Sequence, residues 1–242
     1  MNQYFKAGAL ALLSASLCSY TLAAEFSVTP VRIFMAAKDR AVAITVTNEG
    51  NEEVVMQADL YSWKQKPGGE DELILTEDMI LSPPILKLPP KSRQVVRLAR
   101  LFAQPAGKQL SFRMIVREIP DARPASKELT LQIALAFSLP VFVTPPGAKR
   151  ELVCGIGRVA PDTINAVCEN KGNAYALPLG FVLLAENGEK IASRDSGGYI
   201  LPEVQRSFEI KRAGATISSG KATLQVALDD GTVQTFDATL RD

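Results

Sequence analysis

The chain has 242 residues, with 27 lysines and arginines against 26 aspartates and glutamates, and no histidine at all. The missing histidine removes Ser-His-Asp and Cys-His nucleophile systems, histidine-ligated metals and the commonest general base. So even a charge balance, with few aromatics among the arginines, also argues against a nucleic-acid-binding protein.

Residues 1–24 read as a cleavable signal peptide. A short n-region with Lys6 precedes the apolar run Ala7–Leu17, and the small residues around Ala23 and Ala24 suit a signal peptidase. That run is too short to span a bilayer. The segment before Cys18, Ala15-Ser-Leu17, is a poor lipoprotein box, so the expected product is a soluble exported protein.

Beyond Glu25 the chain breaks into short strands between turns, with no sustained helical period. The first half offers Ala41–Thr47, Val54–Trp63, Leu73–Thr76, Arg93–Ala99 and Leu110–Glu118, with turns at Asn48–Asn51 and Pro67–Gly69. The acidic residues Glu70-Asp-Glu72 follow the second turn and read as solvated. Paired-carboxylate catalysis needs two acids held on rigid elements, and enzyme is therefore the weaker reading.

Between Asp78 and Glu118 no residue is acidic, while Lys87, Lys91, Arg93, Arg97, Arg100, Lys108, Arg113 and Arg117 all fall inside. Arg93 and Arg97 alternate with Val96 and Leu98, and Arg113 and Arg117 with Phe112, Met114 and Val116, so each pair shares a strand face. Two basic faces suit an anionic ligand, and the arginine fork suits a carboxylate; the alternative is a solvated basic surface.

Next comes Glu128–Val143, where Leu129, Leu131, Ile133, Leu135, Phe137, Leu139, Val141 and Val143 occupy every odd position. Alternation this long predicts a strand about twice the usual length. Pro140 denies the ladder a donor, which places part of the strand at a sheet edge. Leu129–Val143 carries no charge to blunt that edge. One reading is a strand lent to a partner by β-augmentation; the other is a central sandwich strand buried on one face.

Thr144–Lys149 is a proline-stiffened linker, after which seven strand segments follow: Glu151–Val159, Thr163–Glu169, Leu177–Ala185, Lys190–Ser193, Ser207–Lys211, Lys221–Leu228 and Val233–Leu240. Asn187-Gly188 and Asp230-Gly231 are hairpin turns. The expectation is an all-β chain of two tandem immunoglobulin-like sandwiches, at 25–143 and 150–242. With Cys18 removed, Cys154 and Cys168 remain on adjoining strands, where an oxidising compartment is expected to pair them, the alternative being two buried free thiols.

In combination, several motifs resemble periplasmic pilus-assembly chaperones of the PapD-like superfamily. They are Thr29-Pro-Val-Arg32, Thr45-Val-Thr-Asn48, Ser82-Pro-Pro-Ile85, Pro89-Pro-Lys-Ser92, Val96-Arg-Leu98, Arg117-Glu-Ile-Pro120 and Leu131-Gln-Ile-Ala-Leu135. The second half matches only loosely, through Glu169–Asn173 and the final hairpin. The resemblance implies two domains in a boomerang, no cofactor or metal, and donor-strand complementation, in which Leu129, Leu131, Ile133, Leu135 and Phe137 fill the groove of a pilin subunit. It implies delivery to an outer-membrane usher, and the exposed strand also allows a self-capping dimer.

In the best-known branch an arginine matched by Arg32 and a lysine on the long strand anchor the subunit's carboxylate. Here Pro140 stands at the lysine position, and Arg97 and Arg113 are the candidate replacements. Ser138–Val143 and Trp63 resemble the archaic-type branch, Trp63 being equally suited to a sandwich core. The alternative function is an exported adhesion or carbohydrate-binding module, which would display aromatics on its loops. The exported protein is expected to begin at Ala24 or Glu25 on N-terminal sequencing; a chain still starting at Met1 would exclude cleavage.

Overall fold

The computed structural model describes residues 26–103, 107–120, 134–160, 163–212 and 220–240, and these contain strands and connecting segments without a helix. Cys18, the signal segment and the donor candidates Leu129, Leu131 and Ile133 lie outside the described residues.

Among the described residues, ten strands build the first domain, in two sheets. One is ordered β1 (Phe26–Thr29), β3 (Ala41–Asn48), β8 (Arg93–Arg100), β6 (Met79–Ser82). The other runs β2 (Ile33–Ala36), β10 (Ala136–Thr144), β9 (Leu110–Glu118), β4 (Val54–Gln65), β5 (Asp71–Leu75), with β7 (Ile85–Leu88) also paired to β4. Alternating apolar residues turn inward from both sheets: Ile44 and Val46, Val96 and Leu98, Met56 to Leu60, and Phe112 to Val116 form one buried core. That is the sandwich expected from period-2 patterning. The chain changes sheets between β1 and β2, across Pro30. Strands β2, β6 and β7 have four residues each, too few for alternation to announce them.

The second domain links β11 (Leu152–Ala160), β12 (Thr163–Asn170), β15 (Gln205–Arg212), β14 (Lys190–Arg194), β13 (Pro178–Ala185), β16 (Gly220–Leu228) and β17 (Val233–Leu240) in one path. The path curls until β11 meets β17, enclosing a second core around Phe181, Leu183, Phe208, Ile210, Leu224 and Val226. The seven strands match the seven segments expected.

Cys154 and Cys168 face each other across β11 and β12 and are joined by a disulfide. Closing a loop of roughly 15 residues constrains the unfolded chain by about 3 kcal/mol. The Cys154→Ser, Cys168→Ser double variant is expected to lose about that much unfolding free energy in a denaturant titration; an unchanged midpoint would show that the bridge does not restrain the unfolded state.

Candidate functional site

Strand β10 differs from its neighbours in what covers it. Its odd residues Leu139, Val141 and Val143 point into the first core, while Phe142 is fully buried against the second domain. Residues 139–143 are therefore buried by the protein's own fold, and the reading of a central strand holds from Val141 onward. Leu135 and Phe137 are only half-buried at the rim of that core, with Phe137 set edge-on against Phe26 at 5.0 Å.

β9 pairs along the whole strand, whereas β2 joins the other side, in parallel, only from Val141 onward. Among the described residues, the far side of Ala136–Pro140 has no strand partner, so β10 is an edge for part of its course.

The outer face of this sheet meets the second domain through Trp63, Phe142 and Leu201, flanked by Tyr175 and Tyr199. Phe142 stacks on Tyr175 at 4.2 Å between centroids, and Trp63 meets Tyr199 edge-on at 5.3 Å; such pairs combine large apolar burial with preferred geometry. Trp63 thus belongs to the contact between domains and not to either sandwich core. Polar braces surround the aromatics. The Gln65 amide donates to Tyr199 O at 3.0 Å and accepts from Leu201 N at 2.9 Å, and Gln109 Oε1 accepts from Tyr175 N at 2.9 Å. In the β4–β5 turn, Gly68 bridges to Arg206, and the Arg206 side chain fills the space where a Gly69 side chain would lie.

Two arginines enter the cleft beside these aromatics. Arg32, just ahead of β2, donates from Nη1 to Asp229 Oδ2 at 2.7 Å. Arg113, on β9, lies over the Trp63 ring at 3.8 Å and 5.5 Å from the Tyr199 ring centre, a cation–π arrangement. Burial works against the Arg32 cation, but its hydrogen bond to Asp229 and the field of the tyrosines hold it above its ordinary value. Burial lowers Arg113, opposed by Asp71 and Tyr199. Tyr199 feels both cations and is raised chiefly by burial.

The basic run divides between opposite surfaces of the sandwich. Arg93 and Arg97 project from β8 on the outer face of the other sheet and are exposed. Arg97 is thus not brought to Arg32 and Arg113, because β8 and β9 belong to different sheets. Arg117 shares the Arg113 face but is engaged by Asp59 and by Tyr61 Oη at 3.0 Å. Asp71, expected in a solvated turn, comes within 3.9 Å of Arg113. Among the described residues no group of three or more acidic, cysteine or histidine side chains is placed to hold a metal ion.

Residues 25–149 match the family described as pili and flagellar-assembly chaperone, PapD N-terminal domain. The chain belongs to this chaperone family. Among curated relatives, the chaperone protein LpfB of Salmonella typhimurium is 23% identical over 193 residues, covering 79% of this chain and 80% of the relative. Solved structures share the fold. The CsuC–CsuE chaperone–tip adhesion subunit complex of archaic Csu pili of Acinetobacter baumannii matches with a TM-score of 0.65 at 20% identity, covering 90% of this chain and 100% of the other. The SafB chaperone, solved with the SafA pilin of Salmonella enterica, matches with a TM-score of 0.58 at 15% identity, over 91% and 98% of the two chains.

In this pilus chaperone, Pro140 is buried and pairs directly with Arg113 on β9. Paired residues share a face, so a cation stands one strand away from the position where the family resemblance puts a lysine. Tyr175, Tyr199, Gln65 and Asp229 escaped sequence reasoning: they come from separate segments and repeat with no period. Asp229 shows only as the residue before the Asp230-Gly231 turn.

Tyr175 donates its hydroxyl to Asp229 Oδ2 at 3.2 Å; burial first, then the Asp229 charge, push its pKa up to about 12. The neutral phenol is favoured by the fold, so its contribution is complete below pH 10 and is lost as pH rises toward 12. In an alkaline ultraviolet titration Tyr175→Phe is expected to remove a late-ionising tyrosine, and an unchanged profile would place that ionisation elsewhere.

Proposed function

We propose that this chaperone works in the periplasm, captures pilin subunits by donating a strand, and hands them to an outer-membrane usher. Residues 1–24 are its signal peptide, 25–143 the capturing domain, 144–149 the linker and 150–242 the second domain. The action is non-catalytic and needs no metal, cofactor, small-molecule substrate or nucleic acid. The same free edge can cap a second copy when no subunit is present. The CsuC and SafB structures, solved with a tip adhesion subunit and a pilin, support this class of partner.

One observation carries the reading: the unpaired edge of β10 leads directly into the arginine cleft. From Val141 that edge is occupied by the parallel strand β2, which starts at Ile33. A subunit strand lying parallel along Ala136–Pro140 therefore ends where β2 begins, beside Arg32, with Arg113 opposite Pro140. A terminal carboxylate arriving there meets two guanidinium groups flanking Tyr199, and charge-assisted bonds hold it. Upstream, Leu129, Leu131, Ile133 and Leu135 fill the subunit's groove. Phe137, packed on Phe26, marks the boundary between donated strand and own core. Each groove side chain buried adds about 1.5–3 kcal/mol as an upper value.

Arg32→Ala and Arg113→Ala are expected to weaken subunit capture by roughly 1.5–3 kcal/mol each, with a lowered but still cooperative melt because each guanidinium also contacts the second domain, while Arg97→Ala leaves capture and melt unchanged. Ile133→Asp should abolish capture with a near-normal melt, because it forces an unpaired charge into the groove; Gln132→Asp should be milder. A pull-down with co-expressed subunit, run beside thermal unfolding, measures both. Collapse of the free Ile133→Asp protein would sink strand donation.

A further inference from the structure

We propose, resting on the carboxylate anchor just described, that Asp229 is its positioning residue: a carboxylate of the second domain that aims the Arg32 guanidinium of the first. Arg32 hands one amino group to Asp229 at 2.7 Å, and its side chain remains 38% exposed. A guanidinium carries five N–H donors in a planar fork, so the bond to Asp229 and the neighbouring Tyr199 engage only part of it, and the exposed remainder can take a ligand. An arginine on a flexible stem loses much rotamer freedom when it docks a ligand; a guanidinium already held in plane loses less.

Asp229 is built to hold rather than to yield. Its side chain is 12% exposed. Oδ2 accepts from Arg32 and, at 3.2 Å, from the Tyr175 hydroxyl, while Oδ1 faces Arg150 Nη1 at 3.7 Å. Its backbone N–H donates to Leu177 O at 3.2 Å. The turn carrying it is closed by Leu228 N to Thr232 O at 2.9 Å and Gly231 N to Leu228 O at 3.0 Å. Next along the chain, Asp230 is held at a pKa of about 2 by Thr232 first and then by Arg150. A group tied at this many points steers Arg32 and does not compete with the incoming carboxylate. Tyr175 also stacks on Phe142 at 4.2 Å, which joins Asp229 to the aromatic contact, so the anchor is complete only when the domains are docked.

The probe is a lysine-capped peptide of alternating valine and serine with a free C-terminal carboxylate, compared by calorimetry with its C-terminal amide on the full mature chain. Wild type is expected to prefer the acid form. Asp229→Asn should cut the acid-over-amide preference about tenfold while leaving amide binding unchanged, and Asp229→Glu should restore part of it. Tyr175→Phe keeps the ring and loses only the hydroxyl; it should lower the preference by a smaller factor, and it carries the test if Asp229→Asn does not fold. An equal preference in wild type and both variants overturns the positioning role while the anchor stands. A higher preference in Asp229→Asn overturns it too, by making Asp229 a competitor. No preference in wild type removes the anchor itself and the positioning role with it.

Discussion

Phe142 stacked on Tyr175, beside Trp63, Tyr199 and Leu201, is the contact on which the cleft depends. It is made from the back of the same strand whose odd residues complete the first core. A β-strand offers alternate side chains to opposite faces, and β10 uses both: one face closes its own sandwich and the other docks the second domain. Among the described residues, its start, Ala136–Pro140, pairs with β9 on one side and with no strand on the other. The strand is thus divided between a buried end and an edge, and the proposed capture of a partner strand rests on that division.

The electrostatics follow from that docking. Two cations brought into a partly buried cleft lose solvation, so each is compensated. Arg32 has Asp229 and Arg113 has the Trp63 face with Asp71 nearby. Tyr199 lies near enough to feel both. Arg32 nevertheless keeps 38% of its side chain exposed, and the proposed anion-receiving role rests on that exposure. Arg113 stands on the strand next to Pro140, directly opposite it.

Much of the architecture was legible because strands announce themselves by alternation. The long segments β3, β4, β8 and β9 and most strands of the second domain carry apolar residues at alternate positions over much of their length. The two cysteines on adjoining strands, with export expected from the N-terminal segment, pointed to their bridge. Four-residue strands do not repeat long enough to register, and β2, β6 and β7 passed unseen. Arg97 and Arg113 look alike in sequence, since each interrupts an apolar alternation on a basic strand. Sheet membership separates them, and pairing partners, not neighbours in sequence, decide sheet membership.

By itself the amino-acid sequence determined the longer strands, the two-sandwich class, the disulfide pair, the edge character of the strand containing Pro140 and the family resemblance. These are properties of local pattern, which a period of two residues or a short motif records. Tertiary structure alone decided that Trp63 and Phe142 join the domains, that Arg32 and Arg113 meet around Tyr199, and that Asp229 reaches across to Arg32. Those meetings bring together groups from β2, β4, β9, β10 and the β16–β17 turn, far apart along the chain. No local pattern encodes such distances, and only the packing of one sandwich on the other sets them.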